Sequence, residues 1–398
     1  MDHGAIEVKL RVIRSLILAA TTLHAEEPWR RHTIDASLKG ADGVRLGDVN
    51  RDRRLDIATG WEEGRTVRVY LQPAKPWEPW KWETVGQICA AEDAVFADVD
   101  RDGTQDVISS CEEGQPTGVF VHWGPDWKTQ AIPAADPAKR WIYALPIWLP
   151  DDRRQHIVAG GKSTAKLPEA ELVLLSPPAQ GSARELAKWT SRRLAKVGWT
   201  MTLASQDMDG DGNDDILVSD RRGKTSGVFW LRYPRWERHD IGAKGREVMF
   251  AALGDVNGDG QADVAAAVRE DAVVWWERLD ESGDRWKEHA LRYPAGAGTA
   301  KAVAIGDVNG DGRNDLVLTC ERSAGKEGVW WLQQLAGGEW RPHRLSGTEG
   351  IKFDRIELLD MDGDGDLDVI TTEEQSPLGL IWYENPVKDP LPRGGAIP

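Results

Sequence analysis

The sequence predicts an all-β fold, a seven-bladed β-propeller of four-stranded blades in which a strand from the N-terminal end completes the last blade. Three observations lead there. An acidic loop, GDVNGDG at Gly254 and Gly306, recurs in the looser copies GDVNRDR, ADVDRDG, QDMDGDG and LDMDGDG. The runs around each copy are short, β-branched or aromatic, and bounded by turn residues, which is how strands read. The last unit ends one strand short, and the start of the chain carries a spare strand of the missing type.

In chain order, residues 1–25 read as an export signal: Lys9, Arg11 and Arg14 precede the apolar run SLILAATTL, and LHA before Glu26 offers a cleavage point. The run is too short to span a bilayer. Residues 26–386 form one propeller, and residues 387–398, VKDPLPRGGAIP, are a Pro-rich tail expected to be disordered.

The loops begin at Asp48, Asp98, Asp207, Asp255, Asp307 and Asp360, at intervals of 50, 109, 48, 52 and 53 residues. One interval is double. Inside it WLPDDRRQHIVAGG aligns with the first loop, with Trp148 in place of the first Asp, Pro150 of the Asn and His156 of the last Asp, so the count is seven units. Each unit has an apolar run into the loop, a second run after it, an aromatic run such as VVWWE, and a Trp-led closing segment such as RWKEHAL. Four strands repeated seven times make a seven-bladed propeller. The segment Trp29–Ile34 is the spare closing strand, and pairing it with the last unit removes an exposed edge.

The loop pattern D-x-[DN]-x-D-G-x-x-D places oxygen ligands at positions 1, 3, 5 and 9, with a glycine at position 6 for the sharp turn. Hard oxygen donors at that spacing suit Ca²⁺. No Glu stands at position 12, where Thr59 and Ala266 occur, so position 9, at the start of the next strand, supplies the closing oxygens. The expected metal residues are Asp48, Asn50, Asp52 and Asp56; Asp98, Asp100, Asp102 and Asp106; Asp207, Asp209, Asp211 and Asp215; Asp255, Asn257, Asp259 and Asp263; Asp307, Asn309, Asp311 and Asp315; and Asp360, Asp362, Asp364 and Asp368. These positions hold 21 Asp, whose mutual repulsion calls for a cation. Six Ca²⁺ would take the net charge from −15 to −3. Arg53 replaces the glycine in the first loop and marks it as the weakest, and the third unit is expected to bind no ion.

These loops resemble the calcium loops of FG-GAP/VCBS repeats, the propeller blades of integrin α subunits and of many secreted bacterial proteins. The resemblance covers nearly the whole chain after the signal segment and implies structural Ca²⁺ in the six intact loops. It leaves function open, since propellers of this kind serve as adhesion modules, carbohydrate-binding domains, polysaccharide lyases and an aldos-2-ulose dehydratase.

A formal charge of −15 without a basic stripe excludes nucleic acid as a partner. The face opposite the acidic loops differs in every unit, which points to a ligand surface. Around its central mouth the topology gathers Asp42, Arg45, Glu92, Asp93, Arg140, Tyr143, Arg246, Glu247, Lys301, Lys352, Asp354 and Arg355. Glu62, Glu112, Lys162, Asp220, Arg221, Arg269, Glu321 and Glu373 form a ring just outside, and Trp61, Trp141, Trp199 and Phe353 add flat rings. Carboxylates, guanidiniums and aromatics together suit a carbohydrate, a uronic acid or an extracellular protein ligand. The alternative is a lyase or dehydratase acting on uronic-acid polysaccharide or a keto-sugar at the same face, although no spacing identifies its acid and base. His32, His239, His289 and His343 recur as W-x-x-H in the closing strands and read as packing residues. Of Cys89, Cys111 and Cys320 at most one pair can close, and the first two both fall near the mouth of the second blade.

Overall fold

In the computed structural model, residues 27–269 and 272–387 are described; the segment read as an export signal, residues 1–25, and all but the first residue of the expected tail lie outside them. The described residues form seven four-stranded antiparallel sheets and a single short 3₁₀ turn, Leu186–Lys188. Six sheets are formed by four consecutive strands, as in the first blade (Ala41–Gly47, Asp56–Trp61, Thr66–Leu71, Lys81–Gln87). In the seventh, Phe353–Leu359, Asp368–Glu373 and Gly379–Glu384 are joined by Arg30–Asp35, which runs antiparallel to Gly379–Glu384 with His32 opposite Trp382.

The innermost strands of neighbouring blades pack against one another around the axis. Second strands are sandwiched between blades, so Asp56–Trp61, Asp215–Asp220 and Asp263–Val268 are buried along their whole length. Fourth strands form the rim, and Lys81–Gln87 is exposed over most of its length. Burial on both faces explains why the middle of the second strands is built from small and apolar residues, whereas the rim strands carry exposed charge. Close approach between blades also requires glycine at specific points. A Cβ on Gly60 would come within 2.5 Å of the Ala91 carbonyl, and one on Gly86 within 2.2 Å of the His122 ring.

The W-x-x-H histidines pack as rings. His32 stacks on Trp382, His239 on Trp230, His289 on Trp275 and His343 on Trp331, with centroids 4.1–4.4 Å apart. Each stack ties a rim strand to the third strand of the same blade. Cys89 and Cys111 form a disulfide with Cα atoms 5.9 Å apart, and Cys320 is free and buried. No helix among the described residues is long and apolar enough to cross a membrane.

Candidate functional site

The acidic loops connect first and second strands on one face of the disc. In each, the carboxylate at position 1 turns back onto its own loop: Asp48, Asp98, Asp207, Asp255, Asp307 and Asp360 all accept the N–H of position 6, at 2.8–3.1 Å. Position 6 is left-handed throughout, with φ of 85–92° at Gly103, Gly212, Gly260, Gly312 and Gly365, and φ 72° at Arg53. Position 4 is left-handed too, at Arg51, Arg101, Gly210, Gly258, Gly310 and Gly363. Sequence reasoning passed over that second turn, although glycine at position 4 in four of the six loops was its signal.

Position 9 does more than the spacing suggests. Asp56, Asp106, Asp215, Asp263, Asp315 and Asp368 are each at most 1 % exposed. One oxygen of each accepts the N–H of loop position 2, and the other accepts an N–H at the end of the third strand, as in Asp315 with Val308 (3.3 Å) and Gln334 (2.7 Å). The same pair of bonds recurs at Asp56, Asp106, Asp215, Asp263 and Asp368. Burial pushes Asp106 up to about 7 and Asp368 up to about 8. A carboxylate has about four acceptor positions, so two backbone donors still leave lone pairs for a metal.

The loops fit a hard cation. In the three loops with Asp at position 3, one oxygen from each of positions 1, 3 and 9 lies within 4.8 Å of the others: Asp98, Asp100 and Asp106; Asp207, Asp209 and Asp215; Asp360, Asp362 and Asp368. The other three loops place an amide oxygen there, from Asn50, Asn257 or Asn309. Position 5 stays at the loop surface, where Arg54 pairs with Asp52, Arg313 with Asp311, and Arg184 with both Asp102 and Asp100. The third blade replaces the loop with a tight connection between Trp141–Leu149 and Asp152–Gly161, in which Asp152 is held by Arg154 and by His156 Nε2 at 3.0 Å.

On the opposite face the central mouth is a polar cavity of about 200 Å³. Twelve of the anticipated residues line it: Asp42, Glu62, Glu92, Glu112, Tyr143, Lys162, Trp199, Arg221, Lys301, Glu321, Lys352 and Asp354. Met201 completes the lining, and Glu374 stands behind it; sequence reasoning passed over both, choosing Glu373 from the EE pair. The two glutamates divide the work because alternate strand residues face opposite ways. Glu373 accepts backbone N–H groups from Ile351, Lys352 and Ser376, whereas Glu374 pairs with Lys301 (2.5 Å) and with Lys352.

The remaining anticipated residues sit elsewhere. Asp220 caps the chain by accepting N–H groups from Gly198 and Trp199. Trp61, Trp141 and Phe353 are at most 1 % exposed in the blade cores. Arg45 and Asp93 pair at 2.9 Å, and Arg355 lines the axial channel beyond the cavity. Glu247 bridges Arg221 and Arg269, while Arg140 and Arg246 form ion pairs nearer the rim with Glu113 and Glu288.

The cavity is electrostatically divided. Asp42 and Glu62 of the first blade, Glu92 and Glu112 of the second, and Asp354 and Glu374 of the last crowd one side. Burial pushes Asp42 well above the usual carboxylate range, with Asp354 and Glu374 adding to it, and Glu92 follows through burial and the charge of Glu112. Burial draws the Lys301 ammonium down, but Asp354 and Glu374 outweigh it and hold it charged. The Tyr143 phenol is pushed well above its ordinary value by burial and then by Asp354 and Asp42. On the other side Lys162, Arg221 and Arg222 gather over the Trp199 ring, 3.9, 4.1 and 4.4 Å from its centroid. Trp199 therefore holds cations at its face, and is not the bare stacking platform expected from sequence.

The fold is that of a seven-bladed β-propeller with a polar cavity at one end of its axis. The chain belongs to the FG-GAP-like repeat family, whose pattern matches residues 48–109, 207–266, 255–318 and 307–371, more than half of its length. The matches leave out the third blade, where the acidic loop is replaced. Among solved structures, BBS1N, crystallised in complex with ARL6DN, is 12 % identical, with a TM-score of 0.55 over 92 % of this chain and 98 % of that one. Sqt1 of Saccharomyces cerevisiae is 9 % identical, with a TM-score of 0.49 over 90 % and 98 %. No protein of curated function matches this sequence.

Proposed function

We propose that this protein is an exported, calcium-stabilised propeller that binds a carbohydrate bearing carboxylate groups at the mouth opposite its calcium loops. The observation that carries this reading is the divided cavity: cations over Trp199 on one side for a carboxylate, and acids on the other to accept hydroxyl hydrogen bonds. Calcium in the six loops would neutralise the clustered acids and fix the face on which the blades are joined. Export is supported by the basic and apolar segment at the start of the chain and by the Cys89–Cys111 disulfide, a bond kept in oxidising compartments. Lyase or dehydratase chemistry gains nothing from the site. Tyr143 is pushed away from deprotonation, and Lys301 is already committed to two carboxylates.

The test is a titration of acidic and neutral oligosaccharides against the calcium-loaded protein, followed by Trp fluorescence and calorimetry. Uronate oligosaccharides are expected to bind, and Arg221→Ala and Trp199→Ala to weaken them at least tenfold, the loss of about 1.4 kcal/mol or more expected when a charge-assisted contact is removed. Binding that survives both substitutions would place the ligand elsewhere. Silence toward every glycan, with capture of an extracellular protein that Arg221→Ala abolishes, would keep the mouth as the site and replace carbohydrate with protein as the ligand.

A further inference from the structure

We infer that the binding surface continues outward from the mouth into a second, larger cavity between the second and third blades, and that its ligand is a linear acidic polysaccharide filling both. This rests on the binding reading above and adds the form of the ligand. The outer cavity has a volume of about 800 Å³, against about 200 Å³ for the mouth. Ligand pockets run from roughly 300 to 1,000 Å³, so the mouth alone is too small to bury a ligand of ordinary size and the outer cavity is large enough.

The two cavities share a wall. Glu112 lines both, and the Lys162 N–H donates to the Arg140 carbonyl at 3.0 Å, so a mouth residue and an outer-cavity residue sit on adjacent backbone. Lys162 turns its ammonium to Glu112 and over the Trp199 ring, whereas Arg140 reaches Glu113 at 2.9 Å. Cations therefore follow one path, from Arg221 and Arg222 through Lys162 to Arg140 and Lys166, on a chain whose net charge is −15. Lys166 is exposed and has no ion-pair partner among the described residues. Both members of the Arg140–Glu113 pair reach solvent, where such a pair is worth little and can open to a ligand carboxylate at small cost. Leu167, 36 % exposed, and two prolines, Pro116 and Pro137, add apolar surface for the CH faces of sugar rings.

The outer cavity is built where the chain departs from its repeat. Its walls come from residues 162–169, eight residues joining the second and third strands of the third blade, and residues 132–140, nine residues leading into that blade. The corresponding connections in the other blades have three to seven and two to eight residues. All the lining residues fall within residues 110–206, the stretch that the FG-GAP-like matches leave out. Both walls are fixed. The Thr117 hydroxyl donates to the Pro137 carbonyl at 2.6 Å, Thr164 and Leu167 exchange backbone bonds of 2.7 and 3.1 Å, and the Cys89–Cys111 disulfide anchors the strand end that carries Glu112. A cavity already formed gives up little freedom when it is filled.

The experiment is a calorimetric titration of the calcium-loaded protein with oligogalacturonates and oligomannuronates of two to six units. Affinity is expected to rise at least tenfold from the two-unit to the six-unit chain. Arg140→Ala/Lys166→Ala should lower six-unit affinity at least tenfold and leave two-unit affinity unchanged, whereas Arg221→Ala should weaken every length. Equal affinity at all lengths, or six-unit binding undiminished in the double variant, overturns the inference while two-unit binding lost in Arg221→Ala keeps the mouth reading. Failure of every length to bind overturns both. Should the double substitution disturb the wall, Lys166→Glu alone, at an exposed position with no partner to lose, serves the same comparison by a fall confined to the longer chains.

Discussion

The two faces of the disc are made by the same strands, yet one repeats and the other does not. On the loop face, position 1 closes the loop on position 6 and position 9 bolts it to the third strand, six times over with the same atoms. At the mouth, acids come from the first, second, sixth and last blades and cations from the third, fourth, sixth and last, so the charge at equivalent positions changes around the ring. Repetition marks what every blade needs in order to fold, and variety marks what only the assembled ring can do.

The largest effect that would break this contrast is removal of metal. Chelating calcium should lower the melting temperature by on the order of 10 °C or more, since each ion held at a hundred times its Kd contributes about 2.7 kcal/mol. Differential scanning calorimetry with and without chelator measures it. An unchanged melting point would reduce the loops to hydrogen-bonded turns, and the two faces would then differ only in sequence.

A smaller effect separates the two duties of the loop face. Asp315→Ala leaves the Val308 and Gln334 N–H groups without their acceptor and is expected to cost about 2–4 kcal/mol even in chelator. Asn309→Ala, which removes only a ligand oxygen and an exposed contact, should be nearly silent in chelator and costly only with calcium. The mouth gives the opposite sign. Glu92→Gln replaces a buried carboxyl, whose ionised form burial and then Glu112 and Glu62 disfavour, by a neutral amide of the same shape, and in chelator it should be neutral or stabilising by up to about 1 kcal/mol. Urea unfolding of the three variants decides among these outcomes, and destabilisation by Glu92→Gln as large as that of Asp315→Ala would erase the distinction.

The difference between the faces also governs what the sequence revealed. Blade number, strand order, the acidic loops and the stacked W-x-x-H histidines were legible because each recurs, and recurrence separates a structural demand from chance. The mouth was legible as a neighbourhood, since topology alone brings Asp42, Glu62, Lys301 and Asp354 to one end of the axis. Which members face inward was not, because a one-residue change of facing, such as Glu373 against Glu374, is set by bulges at the strand ends. Phe353 and Ile356, for example, bracket a register shift against Asp368–Glu373. Trp61 and Trp141 look like mouth aromatics in sequence and are core residues in the structure for the same reason. The doubled bonds of position 9 left no trace beyond a fixed Asp, because their partners are backbone groups.

The smallest predicted effect concerns the weakest copy of the repeated face. Arg53 adopts φ 72° at the position where the other five loops have glycine, and its N–H still reaches Asp48 at 2.9 Å. The loop thus keeps its shape against the repulsion between Cβ and the neighbouring backbone, which costs about 1–2 kcal/mol in the left-handed region. Glycine would relieve it but would release about 0.5–1 kcal/mol of additional chain entropy on unfolding. Arg53→Gly is therefore expected to gain only about 0.5 kcal/mol, a rise of roughly 1–2 °C, and to tighten calcium at the first loop. Arg53→Ala is the control, because it removes the positive charge near the ligands while keeping the Cβ. If backbone strain is what sets this loop apart, alanine gives no gain in melting temperature. An equal gain from alanine and glycine would show instead that the weakness of the first loop is electrostatic, the guanidinium opposing the ion, and that all six loops are sterically alike.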